Sequence, residues 1–248
     1  MSALTARFDA VCERLEKALA ESGRSAEDLR LVAVSKNHEA AVVAELARHW
    51  SSRAVPLFGE SYLQEALPKM EQVGSLTEGM PVRWHFIGHL QSRKARDVAG
   101  RFALIHSVDS LKLAAALQKA WHNRVAGEPR SLDAPAPPPQ DILLQVNVGR
   151  EPQKSGVFPD KLEDLAAGVL NMPELRLRGL MCIPPLAEIG EDSRPYFSML
   201  RTLRDNLEGS FGIRLPELSM GMSDDFFVAV AEGASLVRIG TDIFGPRH

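Results

Sequence analysis

Leu31-Val32-Ala33-Val34-Ser35-Lys36 is a nearly unbroken apolar run that delivers one lysine at its end. A strand wetted on one face would alternate polar and apolar positions. A continuous apolar run of this length reads instead as a strand buried on both faces, the situation of a parallel sheet covered by helices. Seven further runs of similar character follow: Pro56 to Gly59, Arg83 to Gly88, Ala103 to Ser107, Ile142 to Val148, Leu177 to Ile183, Leu215 to Ser219 and Leu236 to Ile239. Between them lie segments of helical period, such as His38 to Trp50, Leu111 to Asn123, Lys161 to Leu170, Arg194 to Leu207 and Asp224 to Glu232. Strands that alternate with crossover helices make parallel βα units, and eight of them close most simply into a single TIM-type (β/α)8 barrel of the α/β class over residues 1–248. Too few residues follow the eighth strand for a full closing helix. The amphipathic stretch Leu4 to Ser22 is therefore expected to be an extra N-terminal helix that supplies the missing outer layer.

Composition narrows the function. The chain has 248 residues, 45% hydrophobic and 25% charged, with a formal net charge of −3. Such a balance offers no basic field to hold a nucleic acid, so a small-molecule partner is favoured. The two cysteines, Cys12 and Cys182, have no neighbour at metal-ligand or CxxC spacing and read as reduced thiols. The N-terminus lacks an apolar signal core, and no window approaches the ~20 apolar residues of a membrane span, which predicts a cytoplasmic protein. The Pro-rich segment 127–140 reads as an extended surface loop on the barrel face away from the strand ends that carry chemistry.

Three segments carry candidate chemistry. Lys36 ends the first strand, at the barrel mouth where enzymes of this fold build their sites. A lysine there is ordinarily solvated, but apolar flanks disfavour its charged form, and a free amine attacks an aldehyde to form a Schiff base. In Leu218-Ser219-Met220-Gly221-Met222-Ser223-Asp224-Asp225-Phe226, a strand turns through glycine into a helix expected to be capped by Ser223. Free backbone N–H groups and a hydroxyl at that turn suit a phosphate, provided that Asp224 and Asp225 point away. In Val237-Arg238-Ile239-Gly240-Thr241-Asp242-Ile243-Phe244-Gly245, Arg238 interrupts an apolar strand and must find an acceptor, while Gly240 and Thr241 occupy the position after strand eight that often binds phosphate. His85 and His89 have helical metal-ligand spacing but fall on a strand and a glycine turn, so no metal site is expected. The basic run Gln91-Ser92-Arg93-Lys94-Ala95-Arg96 reads as a solvated helix face.

Taken together, Val32 to Lys36, Phe58-Gly59-Glu60-Ser61-Tyr62, Trp84 to Gly88, Gln145-Val146-Asn147 with Lys154-Ser155-Gly156, Arg178-Gly179-Leu180-Met181, Leu218 to Asp225 and Val237 to Gly245 resemble the pyridoxal phosphate homeostasis protein family. That family is a single-domain relative of the alanine racemase barrel, and the matching segments run in family order across nearly the whole chain. The resemblance implies a cofactor, pyridoxal 5′-phosphate (PLP), held as a Schiff base on Lys36. It implies that Ser223, Gly240 and Thr241 hold the phosphate, that Arg238 faces the pyridine nitrogen, and that Asn147 and His85 flank the ring. The chain departs from the family's usual pattern at Asn37-His38-Glu39, Ser61, His89 and Arg93.

A guanidinium can only donate to the pyridine nitrogen, which then stays unprotonated and is a poorer electron sink. Alanine racemases also use a second, all-β domain, for which the chain to His248 leaves no room. The first point disfavours transamination and decarboxylation but not racemisation, whereas the second favours a protein of intracellular PLP homeostasis that stores, buffers or delivers the cofactor, as a monomer making transient contacts with PLP-dependent enzymes. The alternatives are a PLP-dependent amino acid racemase-like enzyme, and a cofactor-free aldolase in which Lys36 attacks a phosphorylated carbonyl compound directly.

Overall fold

The computed structural model describes residues 2–127, 137–185 and 190–246. Eight parallel strands form a closed barrel in sequential order: β1 Arg30–Val34, β2 Leu57–Glu60, β3 Arg83–Phe86, β4 Leu104–Val108, β5 Gln140–Val146, β6 Leu175–Cys182, β7 Glu217–Ser219 and β8 Leu236–Ile239. The helices are α1 Ala3–Glu21, α2 Ala40–Trp50, α3 Leu63–Leu76, α4 Ala95–Val98, α5 Leu111–Gly127, α6 Leu162–Leu170, α7 Arg194–Phe211, α8 Phe226–Ala231 and α9 Thr241–Phe244. Closure is made by β1 against β8, with Arg30 opposite Leu236 and Ala33 opposite Ile239. The Pro-rich surface loop falls mostly on 128–136, outside the described residues.

The N-terminal helix forms part of the outer layer, packed against α8, α9 and α2. Leu4, Phe8, Val11, Leu15, Ala18 and Leu19 are buried at the three- and four-residue spacing of one helical face, and Ser2 caps the helix by accepting from the Thr5 N–H. Arg7 donates to the carbonyls of Ile243 (2.8 Å) and Phe244 (3.2 Å), and Arg14 pairs with Asp242 at 2.6 Å. These contacts pin α1 over the single turn α9. A ladder of aromatic rings, Phe8 to Trp50, Trp50 to Phe58 and Phe58 to Trp84, runs from α1 through α2 onto the outer faces of β2 and β3.

Two expected boundaries move for local reasons. Helix α2 begins at Ala40 rather than His38 because Asn37 adopts a left-handed backbone (φ 64°) that turns the chain first. Helix α8 begins at Phe226 rather than Asp224, so Ser223 is not its cap. Gly221 (φ 90°) turns the chain, and Asp225 folds back so that its carboxylate accepts from the Met222 N–H at 2.6 Å and from Ser193 Oγ at 3.2 Å.

Candidate functional site

Strand alternation sends Val34 and Lys36 to the inside of the barrel mouth, where they line a cavity of about 240 Å³. The backbone on both sides of Lys36 is clamped. Ser35 N–H donates to Gly59 O (3.1 Å) and Ser35 Oγ donates to Glu60 Oε1 (2.7 Å). The buried Lys69 Nζ donates to Ser35 O (2.7 Å) and to Glu60 Oε1 (2.9 Å), while Glu65 Oε1 accepts both from Lys69 and from the Asn37 N–H at 2.6 Å. Glu60 is fully buried, its pKa is raised by loss of hydration, and its Oε2 finds no partner among the described residues.

Ser223, Arg238, Gly240 and Thr241 share the wall of that cavity with Lys36, so five of the seven residues singled out in the sequence come together. The backbone N–H groups of Ser223, Gly240 and Thr241 donate to no acceptor among the described residues. At Gly240 a Cβ would come to 3.3 Å from both Val34 Cβ and Val34 O. Arg238 is buried, which holds its pKa below the ordinary arginine value, and it spends two of its donors on Ser219 Oγ (2.6 Å) and Cys182 O (2.9 Å). Asp225 does point away, into its contacts with Met222 and Ser193, but Asp224 lies on the cavity lip against expectation.

Asn147 and His85 take other places. Asn147 lines a second lobe of the mouth, about 440 Å³, which shares Lys36, Ser61, Ile87 and Ile183 with the first. Its side-chain amide is occupied: Nδ2 donates to the carbonyls of Glu151 (2.8 Å) and Lys154 (3.3 Å), and Oδ1 accepts from the Glu151 N–H (3.1 Å). Asn147 therefore shapes the 147–154 loop rather than offering free donors to a ring. His85 lies away from both lobes. It points into the barrel below the mouth, its Nδ1 lies 2.9 Å from His106 Nε2, and its ring borders a cavity at the opposite barrel end with Arg30, Arg83 and Glu217. Burial and the nearby Arg30 and Arg83 charges lower its pKa to about 3, so it is neutral. Among the described residues no group of three His, Cys, Asp or Glu could hold a metal.

The sequence reading passed over His106, Glu60 and Lys69. His106 was legible by alternation, since Leu104 and His106 share one face of β4 and an inward polar residue needs a partner. Lys69 was not, because only Glu65 lies on its own helix, while Glu60 on β2 and the Ser35 carbonyl after β1 are brought to it by the fold.

Residues 7–248 match the family model of the alanine racemase N-terminal domain. The pyridoxal phosphate homeostasis protein of Aquifex aeolicus is 41% identical over 97% of this chain and 97% of its own length. That of Pseudomonas aeruginosa is 41% identical over 100% of this chain and 97% of its own. The structure of PipY from Synechococcus elongatus PCC7942 with PLP bound superposes with a TM-score of 0.77 at 32% identity, covering 98% of this chain and 100% of that one. By matched length and identity, this chain belongs to the pyridoxal phosphate homeostasis protein family, built on the alanine racemase N-terminal barrel.

Proposed function

We propose that this protein binds PLP in the barrel mouth as a Schiff base on Lys36 and serves the cytoplasm as a store and donor of the cofactor. The observation that carries the reading is the convergence of Lys36, Ser223, Arg238, Gly240 and Thr241 on one cavity. The donor set fits the group. Two hydroxyls and three backbone N–H groups without an acceptor among the described residues match a phosphate, and Gly240, which has no Cβ, leaves the backbone open to close approach. A buried guanidinium can meet only an unprotonated ring nitrogen. The family's name and the PLP bound to PipY support the same cofactor.

When bound, PLP supplies an aldehyde for the amine and an electron-withdrawing ring. The chain's own residues do the rest: Ser223, Gly240 and Thr241 anchor the phosphate, and Arg238 keeps the ring nitrogen from taking a proton. An unprotonated ring withdraws electrons weakly, which favours holding over turnover. Release to PLP-dependent enzymes during brief encounters of a monomer completes the reading.

The test is to load the purified chain with PLP, reduce it with borohydride and map the modified peptide, alongside Lys36→Ala. Modification at Lys36, absent in the variant, together with no interconversion of D- and L-alanine, is the expected result. A reduced adduct elsewhere, undiminished in Lys36→Ala, overturns the lysine assignment, and racemisation by the loaded wild type moves the protein to the enzyme class.

A further inference from the structure

The barrel interior beneath the cavity is crossed by a line of polar side chains from four strands. Arg238 Nη1 donates to Ser219 Oγ (2.6 Å), Ser219 Oγ lies 2.9 Å from His106 Nδ1, and His106 Nε2 lies 2.9 Å from His85 Nδ1. Ser219 and His106 are fully buried and His85 is 3% exposed. Both imidazoles are neutral, since burial and neighbouring cations disfavour a charge.

The direction of this line is fixed by its upper end. Arginine has no acceptor, so Ser219 must receive from Arg238 and place its own hydrogen elsewhere. The acceptor within reach among the described residues is His106 Nδ1. His106 then carries its proton on Nε2 and donates to His85 Nδ1, which leaves the His85 proton on Nε2, facing the lower cavity. The opposite phase would make His106 Nδ1 a second donor to Ser219 and strand a buried hydroxyl hydrogen.

We infer that Ser219, His106 and His85 are positioning residues for Arg238, forming a one-way relay that keeps the Ser219 lone pairs turned toward the guanidinium and so fixes the guanidinium edge offered to the cofactor's ring nitrogen. With Cys182 O holding Nη2 at 2.9 Å, the guanidinium is fastened at two points and cannot swing. The relay rests on the reading of Arg238 as the ring-nitrogen partner.

Two measurements on the full-length chain test it. Two-bond 1H–15N spectra of the unliganded protein are expected to show both His106 and His85 as Nε2–H tautomers, and an Nδ1–H tautomer of His106 overturns the relay. Dissociation constants are then compared for PLP and for an analogue with C–H in place of the ring nitrogen. Ser219→Ala and His106→Leu are expected to weaken PLP at least ~10-fold, corresponding to the net worth of about one charge-assisted hydrogen bond. Neither should weaken the analogue. His106→Gln, whose amide can accept from Ser219 and donate to His85, should stay within about 3-fold of wild type, less than one such bond is worth. Equal losses for both ligands, or variants that hold PLP as wild type does, overturn the relay. If His106→Leu fails to fold, Ser219→Ala and the tautomers decide. A wild-type chain that takes up no PLP sinks the proposed function instead, which separates the two failures.

Discussion

Lys69 Nζ donates at 2.7 Å to the carbonyl oxygen of Ser35, the residue immediately before Lys36. The same ammonium pairs with Glu60 and Glu65, and both Lys69 and Glu60 are buried. A buried charge stripped of its partner costs far more than the pair itself contributes. Lys69→Met should therefore destabilise the fold by ~3–5 kcal/mol in urea titration. Adding Glu60→Leu to that variant should recover part of the loss; if it recovers nothing, the pair is not the cause.

Acid should weaken the fold through the two interior histidines. His85 has a folded pKa of about 3 against an ordinary 6.5, and burial lowers His106 well below the ordinary value too. The denatured chain takes up protons near 6.5 while the native chain does not, so the His85 contribution is complete above that point and declines as pH falls from 6.5 toward 3, and His106 acts in the same direction. The slope is at most ~1.4 kcal/mol per pH unit for each histidine. Denaturant midpoints of wild type and His106→Gln between pH 7.5 and 4.5 check this, and the variant should show the shallower decline. Glu60 and Asp225, whose pKa values burial raises, act with the opposite sign in both proteins and leave the comparison intact.

Gly240→Ala separates site from scaffold. Its backbone angle is ordinary (φ −118°), and the added Cβ would sit 3.3 Å from Val34. Stability should change by about 1 kcal/mol or less, below the usual cost of overpacking a core. PLP retention, followed by dialysis and absorbance, should fall ~10-fold if the backbone must approach the phosphate closely. Unaltered retention would place the phosphate elsewhere.

Gly88→Ala should act on the scaffold as well. A Cβ there would meet Ser61 O at 2.1 Å, and Ser61 lines both lobes of the mouth. Backbone cannot yield as a side-chain tip can, so a loss of at least ~1–3 kcal/mol is expected from thermal unfolding.

Asn147→Ala removes three hydrogen bonds that tie residues 151–154 to the end of β5. A loss of ~1–3 kcal/mol is expected from the stranded backbone groups. Limited proteolysis should show faster cleavage within residues 150–156 than in wild type, and an unchanged pattern would mean that the loop is held by other contacts.

The barrel could be read from the chain because its signals are local. Apolar runs such as Leu31 to Val34, repeated between helical segments, specify strands buried on both faces, and the fixed handedness of βα crossovers leaves few ways to close eight of them. The same locality made Lys36, Arg238, Gly240 and Thr241 visible, since each stands at a strand end that the fold carries to the mouth. Side-chain partnership was decided only by tertiary structure. His85 left the mouth for His106, Asn147 turned to its own loop, and Asp225 rather than Ser223 closed the Gly221 turn. Hydrogen bonds between β3, β4, β7 and β8 join positions up to 113 residues apart, and no periodicity in the sequence encodes which polar group another will meet across the barrel.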